Sequence, residues 1–161
     1  MQNISLRQFK YFDQDAVWQL HIEGLEQTGS FIDNPEYDSD LGRIIADYIE
    51  NRGDFIVATC DELIVGSGGL RRVNNETAEI KRMRVTPQYQ GQGIGELILD
   101  YLMKKAQALG YQRLILDTTA RQRIAQQLYK SRGFKEYDRG SVGGLEVVFY
   151  ELSLPKTDGN G

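Results

Sequence analysis

Three glycines at alternate positions interrupt the segment RMRVTPQYQGQGIGELILDYL, residues 82–102. Gly91, Gly93 and Gly95 lie between a run typical of a β-strand and a run typical of a helix. Without side chains, such a turn can direct several backbone N–H groups inward at the start of the helix, where the helix dipole favours negative charge. The segment therefore predicts either a loop that binds a pyrophosphate or a tight strand-to-helix connection that holds no ligand.

The glycine spacing excludes two other phosphate-binding loops. A dinucleotide loop needs G-x-G-x-x-G, but the third glycine position is Glu96 when counted from Gly91 and Ile98 when counted from Gly93. A Walker loop needs a lysine after its last glycine, and Glu96 follows Gly95. Neither a dinucleotide fold nor a Walker-type nucleotide site is predicted.

The residues before this segment carry strand and helix patterns. Residues 26–40 are acidic and rich in turn formers, which predicts a long loop, and Asp61 with Glu62 has the length of a tight hairpin turn. The predicted elements are an edge strand at ISLRQF, a helix capped by Asp13 or Asp15 that runs to Gly24, a helix over LGRIIADYIENRG, and a hairpin of DFIVATC and LIVGSGGLRRV.

The next run, AEIKRMRV, breaks the two-residue period of a strand. Ile80 is at an even position, whereas Met83 and Val85 are at odd positions. Because side chains alternate between the two faces of a strand, all three can share one core only if an extra residue is inserted. The sequence therefore predicts a β-bulge between Lys81 and Met83.

The elements after the glycines predict a βαβ unit followed by a helix and a hairpin. The apolar strand RLILD is expected to be covered on both faces. The helix before it ends at Gly110 and is predicted to bury one face, formed by Ile94, Leu97, Ile98, Tyr101, Leu102 and Leu109. A further helix over residues 121–132 is predicted to carry Ile124, Ala125, Leu128 and Tyr129 on adjoining turns, and FKEYDR with EVVFYELSL forms the final hairpin.

Composition restricts the partners. The 161 residues carry a net charge of −4 without a long basic block, which argues against a nucleic-acid partner. No apolar run approaches membrane length and the N-terminus lacks a secretory signal, so we expect no membrane partner and a cytoplasmic location. Cys60 is the single cysteine and is predicted to be a small core residue. His21 is the single histidine and is predicted to pack on the first helix, so no metal site is expected.

Three motifs in order resemble the GNAT superfamily of N-acetyltransferases. QGQGIG resembles its Q/R-x-x-G-x-G/A pyrophosphate loop, with Gln90, Gly93 and Gly95 in the defining positions. EIKRMRV resembles the bulged fourth strand, and AQQLYKSRGF resembles the late helix with its tyrosine and Gly-Phe turn. The similarity extends over residues 55–152.

The resemblance implies a mixed α/β fold with one domain over residues 1–154. In such a fold a central mixed, mostly antiparallel sheet has a bulged fourth strand splayed from the fifth, and about four helices flank it. Residues 155–161 are predicted to be a disordered tail.

The resemblance also implies acetyl-CoA as co-substrate, without a metal. Backbone N–H groups of the fourth strand would pair with the pantetheine and polarise the thioester carbonyl. The implied residues on that strand are Met83, Arg84 and Val85. The pyrophosphate would be bound by Gln90, Gly91, Gln92, Gly93, Ile94, Gly95 and Glu96.

Two residues match the catalytic positions of the family. Glu79 matches the general base that removes a proton from the acceptor amine, although a strand carboxylate can also be a solvated surface charge. Tyr129 matches the general acid for the departing thiolate, although it can also be a core tyrosine. A phenol of pKa near 10 protonates a thiolate of pKa near 8.5 at a cost of about 2 kcal/mol.

One position departs from the family pattern. Many relatives carry an asparagine just after the fifth strand to hold the pantetheine, whereas this strand ends LDTTARQR. Thr118, Thr119 or Arg121 can take over that contact. Arg121 and Arg123 can also reach the 3′-phosphate of CoA or an acidic acceptor, or form a solvated helix face.

The implied activity is acetyl transfer to a primary amine of a small molecule or peptide by direct attack in a ternary complex. The alternative is a non-catalytic acyl-CoA-binding module. Negative charge in the first loop can attract a cationic amine or can serve solubility alone. Its carboxylates are Glu26, Asp33, Glu36, Asp38 and Asp40. Dimers are common in the resembled family, so a homodimer is a further expectation.

Overall fold

The structure is a computed structural model that describes residues 3–28 and 39–155. Its strands are β1 (Ile4–Gln8), β2 (Asp54–Cys60), β3 (Leu63–Arg72), β4 (Thr77–Val85), β5 (Arg113–Thr119), β6 (Lys135–Val142) and β7 (Leu145–Ser153). Its α-helices are α1 (Gln14–Thr28), α2 (Ile94–Ala108) and α3 (Arg123–Ser131). Short 3-10 turns cover Tyr11–Asp13, Ser39–Gly42 and Pro87–Tyr89, and a π-helical turn covers Ile45–Ile49. Among these described residues, no helix is long and apolar enough to cross a membrane.

All seven strands form one sheet in the order β1-β2-β3-β4-β5-β7-β6. Every neighbouring pair is antiparallel except β4 and β5, which are parallel. These two strands pair only between Thr77–Glu79 and Arg113–Ile115, although β4 continues to Val85 and β5 to Thr119. The fourth and fifth strands therefore separate beyond Glu79, and the predicted mixed, splayed sheet is confirmed.

A β-bulge lies where the apolar parity predicts it. Gly69 pairs with Lys81 and Ser67 pairs with Arg84, so one residue of β3 faces two residues of β4. The first of these two residues, Arg82, has a φ of 59°, in the left-handed region. Beyond the bulge, Met83 and Val85 pack on the same core as Ile80.

Two hydrophobic cores cover the two faces of the sheet. The larger core contains α2 and Tyr129 of α3, packed on strand residues such as Leu114 and Tyr150. The smaller core joins α1 and the short turns to β2, and it contains Phe9, Val17, Leu41, Ile44, Tyr48, Phe55 and Val57. The sheet is thus the middle layer of three. The split between β4 and β5 lies within this middle layer.

Several local predictions are confirmed. β1 forms a sheet edge, and Asp61 and Glu62 form a two-residue hairpin turn with φ values of 50° and 70°. β6 and β7 pair as the final hairpin. The first helix continues four residues beyond the predicted end at Gly24, because α1 ends at Thr28.

The predicted second helix over residues 41–53 is present only as a shorter helical segment. The structure has only the 3-10 turn and the π-helical turn there. Tyr48 explains the difference: its ring packs edge-on against Phe55 and over Gly69, and its hydroxyl donates to Asp40 at 2.5 Å. These tertiary contacts outweigh the helical periodicity, and they leave Ile45 exposed.

Two burial predictions are also wrong. Leu97 and Tyr101 of α2 are 48% and 37% exposed, because the buried side of that helix follows Ile94, Ile98 and Leu102 at four-residue spacing. β5 is buried on one face only, through Leu114, Leu116 and Thr118, while Asp117 on the other face is exposed, because β4 turns away from it there.

Candidate active site

The glycine segment forms an open turn between β4 and α2. Gly91 and Gly93 have φ values of 78° and 84°, and Gly93 is the residue immediately before the helix. A Cβ built on either glycine meets no atom within 4 Å, and both glycines line an open cavity. The first N–H groups of an α-helix have no acceptor within the helix. The turn therefore presents such groups, together with the positive end of the α2 dipole, to an open space.

Gln90 connects this turn to the end of β4. Its Nε2 donates to the carbonyl of Val85 at 3.0 Å. Gln92 instead donates to the carbonyl of Gln88 at 3.4 Å and does not line the cavity described next. The loop is thus anchored to the strand that carries the bulge.

A cavity of about 980 Å³ begins at the glycine turn and extends into the split between β4 and β5. This volume is at the upper end of the range of small-molecule sites in proteins. The sequence-predicted residues that line it are Met83, Arg84, Val85, Gln90, Gly91, Gly93, Ile94, Gly95, Glu96, Thr118 and Tyr129. Gln92 and Glu79 are not among the lining residues.

The bulge in β4 is held by a buried ion pair. Two guanidinium nitrogens of Arg82 donate to the carboxylate of Asp40 at 3.0 and 2.5 Å, and the hydroxyl of Ser67 donates to the carbonyl of Arg82 at 3.1 Å. Burial alone raises the pKa of Asp40, but the hydrogen bonds from Arg82 and Tyr48 and the charge of Arg82 outweigh it and hold that pKa at about 2. The bulge geometry therefore depends on side chains from three parts of the chain.

Tyr129 lies in the cavity wall, 5% exposed, between the rings of Phe134 and Tyr150. Burial raises the pKa of its phenol to about 12, with Arg84 lowering and Asp117 raising it as smaller effects. The phenol is therefore protonated at neutral pH, and its residue lines a cavity in which a ligand can lie.

Two carboxylates lie near the point where β4 and β5 separate. Glu79 pairs with Ile115 in the last step of the parallel ladder, and burial raises its pKa. Asp117 lies two residues farther along β5, where its side chain is exposed to the cavity. Partial burial raises the pKa of Asp117. The positive charges of Lys81, Arg82 and Arg84 lower it, but by less. Sequence reasoning missed Asp117, since its signal was only an acidic residue at the end of an apolar strand.

The family model described as "Acetyltransferase (GNAT) family" matches residues 15–134. The chain belongs to this family. Human N-acetyltransferase 8 is 34% identical over 131 residues, which cover 74% of this chain and 58% of that protein. The chain thus spans less than two thirds of this curated relative.

Solved GNAT structures have the same fold. An acetyltransferase of the GNAT family from Staphylococcus aureus aligns with a TM-score of 0.87 at 22% identity, over 95% of this chain and all of that one. The yncA protein of Salmonella typhimurium, solved with acetyl-CoA, aligns with a TM-score of 0.79 at 18% identity, over 96% of each chain. At these identities the likeness concerns the fold.

In this GNAT chain, the side-chain amide of Gln122 lies at the end of β5. Thr118, Thr119 and Arg121 all line the cavity. The Thr118 hydroxyl and the Thr119 N–H both donate to Oε1 of Gln122. Gln122 also lines the cavity, and sequence reasoning did not single it out.

The acidic first loop is only partly described. Asp33, Glu36 and Asp38 lie outside the described residues, as does the tail from residue 156. Glu26 is exposed. Asp40, which the sequence grouped with these loop charges, is instead buried and paired with Arg82. That part of the prediction is wrong, because Asp40 is neutralised inside the protein.

The single cysteine and the single histidine have the predicted structural roles. Cys60 is buried in β2, and His21 is buried on α1 with its ring 5.7 Å from that of Trp18. His21 also lines the cavity, with Nδ1 3.4 Å from Nη2 of Arg84. Since a guanidinium only donates hydrogen bonds, Nδ1 of His21 accepts in this contact.

Proposed function

We propose that this GNAT chain is an acetyl-CoA-dependent N-acetyltransferase that transfers an acetyl group to a primary amine of a small molecule or peptide. The observation that carries the proposal is the cavity of about 980 Å³, which joins the glycine turn to the β4–β5 split and has Tyr129 in its wall. The reaction is direct attack of the amine within a ternary complex. Incubation with acetyl-CoA and a panel of amines tests it, by following release of the CoA thiol and the mass of the acetylated product.

The residues present fit acetyl-CoA. The turn at Gly91 and Gly93 lines the cavity before the N-terminus of α2, which suits a pyrophosphate, and Ile94, Gly95 and Glu96 form the first turn of α2 beside it. Backbone groups of Met83 to Val85 would hold the pantetheine and thioester carbonyl, with Thr118 on the opposite side of the split. When bound, acetyl-CoA supplies the acetyl group as an activated thioester.

Replacing Gly93 with alanine is expected to weaken acetyl-CoA binding about tenfold. A left-handed backbone costs a residue with a Cβ roughly 1–2 kcal/mol, so the turn would relax away from its open form. Calorimetric titration with acetyl-CoA measures the effect. Gly95→Ala is the matched control, because the nearest atom to its built Cβ is Leu128 Cδ2 at an ordinary 3.6 Å. Equal affinities of Gly93→Ala and the unaltered protein would contradict the role of the turn.

Tyr129 is proposed as the acid for the leaving sulfur. With its pKa at about 12, proton transfer to a thiolate of pKa near 8.5 is uphill by roughly 5 kcal/mol. This exceeds the cost expected from the sequence, because burial disfavours the phenolate. Tyr129 therefore acts mainly by donating a hydrogen bond to the sulfur as negative charge develops there. Full transfer of the Tyr129 proton to the sulfur is favourable only when the proton released by the acceptor amine offsets this cost.

Glu79 is proposed as the base, acting through water because it does not line the cavity. A base must be deprotonated, so the rate should fall as the pH drops through the raised pKa of Glu79, above its ordinary value of 4.5. Glu79→Gln is expected to lower kcat and to remove this acidic limb from the pH–rate profile. Glu151→Gln, which changes an ion-paired carboxylate on β7, is the control. A Glu79→Gln profile that matches the unaltered protein would remove the assignment.

The alternative, a non-catalytic acyl-CoA-binding module, is not favoured. Such a module requires neither Tyr129 in the cavity wall nor a carboxylate of raised pKa at the strand split. Binding of acetyl-CoA with no acetylated product from any amine would reverse this preference.

A further inference from the structure

We propose that the part of the cavity facing α1 is an acceptor subsite for amines that also carry a carboxylate. In this subsite Asp117 binds the ammonium group and Lys81 binds the carboxylate. The proposal rests on the acetyltransferase function proposed above and names its substrate class as free amino acids.

The backbone places Lys81 and Asp117 as a pair across the strand split. Glu79 and Ile115 form the last parallel pair, and each of the two charged residues lies two positions beyond it on its own strand. Because side chains alternate along a strand, both point to the same face as Glu79 and Ile115. Both line the cavity, one on each side of the gap.

Lys81 is the loosely held cation of this group. Its Nζ lies 4.0 Å from Oε1 of Glu79, at the limit of an ion pair, and its side chain is 26% exposed. Its neighbour Arg82 is different, since Arg82 makes two bonds to the buried Asp40. Lys81 can therefore turn toward a ligand at little cost, whereas Arg82 belongs to the structure of the bulge.

Asp117 is the carboxylate that a ligand can reach. It is exposed within the cavity, whereas Glu79 does not line it. Asp117 also contributes to the electrostatic environment of the Tyr129 phenol, as does Arg84. An ammonium group bound at Asp117 is therefore close enough to interact electrostatically with the Tyr129 phenol, the proposed acid.

The charges around Asp117 disfavour an acceptor that is only cationic. Lys81 and Arg84 both act on the Asp117 carboxylate, so a bare ammonium bound there meets two like charges. The Arg84 side chain lies directly against α1, since a Cβ at Gly24 would be 2.6 Å from its Cδ. It also donates to the carbonyl of Met83 at 2.8 Å. An acceptor with a carboxylate beside its amine complements both signs of charge.

The first test compares acceptors of equal shape and different charge. The twenty common amino acids, the amide of each, and the amines obtained by removing the carboxylate are assayed by thiol release. The proposal predicts that the preferred acceptor is a free amino acid whose kcat/KM exceeds that of its amide by about tenfold or more. Amides or simple amines that react as well as the amino acid would overturn it.

The second test separates binding of the acceptor from chemistry. Lys81→Met is expected to raise KM for the amino acid about tenfold to hundredfold and to leave KM for the amide nearly unchanged. Asp117→Asn is expected to raise KM for both. Lys104→Met, which removes an exposed lysine of α2, controls for net charge. Calorimetric titration of the CoA-bound protein with the preferred amino acid gives a readout independent of turnover.

The outcomes distinguish this proposal from the proposed function. Acetylation of peptides or simple amines, but of no free amino acid, would overturn the subsite and leave the acetyltransferase function intact. Equal acceptor affinity in Lys81→Met and the unaltered protein would also overturn it. A protein that fails to bind acetyl-CoA would count against the function itself.

Discussion

Replacing Tyr129 with phenylalanine is expected to lower kcat by about 10²- to 10³-fold and to leave acetyl-CoA affinity nearly unchanged. The substitution keeps the ring that packs against Phe134 and Tyr150 and removes only the hydroxyl. Without that hydroxyl, negative charge on the leaving sulfur loses the hydrogen bond that Tyr129 would donate. Steady-state kinetics with a fixed amine, together with calorimetric titration with acetyl-CoA, measures both quantities.

Tyr101 provides a close control for this experiment. Its hydroxyl donates to Asp54 at 2.9 Å, burial raises its pKa to about 12 as well, and it does not line the cavity. Tyr101→Phe removes the same group from a different place and is expected to leave kcat unchanged. If Tyr129→Phe also kept its full rate, Tyr129 would be a core residue with no catalytic part.

Replacing Asp40 with asparagine is expected to destabilise the protein by about 3–5 kcal/mol. The Arg82 side chain is only 11% exposed, so loss of the Asp40 carboxylate removes a charge that compensates a buried positive charge. The Tyr48 hydroxyl loses its charged acceptor in the same change. Unfolding in urea, followed by circular dichroism, measures the difference.

Two further variants sharpen the interpretation. Glu136→Gln alters an exposed ion pair with Arg139, and it is expected to change stability little, because exposed pairs contribute little. The double change Asp40→Leu with Arg82→Met removes both buried charges and is expected to recover much of the loss. If Asp40→Asn were as stable as the unaltered protein, the buried pair would not hold the bulge.

The pH dependence of stability gives an independent check on Asp40. Its pKa is about 2 in the folded protein and 3.8 in its ordinary state, so the carboxylate stabilises the fold above about pH 4. That contribution is lost as the pH falls from about 4 through 2. Asp40→Asn should lack this part of the pH dependence, and an acid unfolding curve that keeps it would assign it to other carboxylates.

Features of the fold that follow from local periodicity could be predicted from the sequence. The bulge could be inferred because Ile80, Met83 and Val85 fit one core only with an inserted residue, and the structure has that insertion. The left-handed backbone of Arg82 could not be predicted, because the residues that bind Arg82 include Asp40, 42 residues away in the sequence. Such a contact leaves no periodic signal.

Burial could be predicted less well than secondary structure. Leu97 and Tyr101 are at helical spacing with the buried residues, yet they are partly exposed, because Ile94, Ile98 and Leu102 define the side of α2 that packs on the sheet. In the site, the glycine turn and Tyr129 could be found from motifs. Asp117 became a candidate only when the strand split was seen to expose it beside Lys81.

The central claim is that the glycine turn and the β4–β5 split form an acetyl-CoA site. Calorimetric titration of the purified protein with acetyl-CoA tests it most directly, since every assigned role depends on that ligand. The structure predicts micromolar binding that competes with CoA and weakens in Gly93→Ala but not in Gly95→Ala. Absence of binding at millimolar acetyl-CoA would mean that the glycines only turn the chain, and the catalytic assignments would fail with the site.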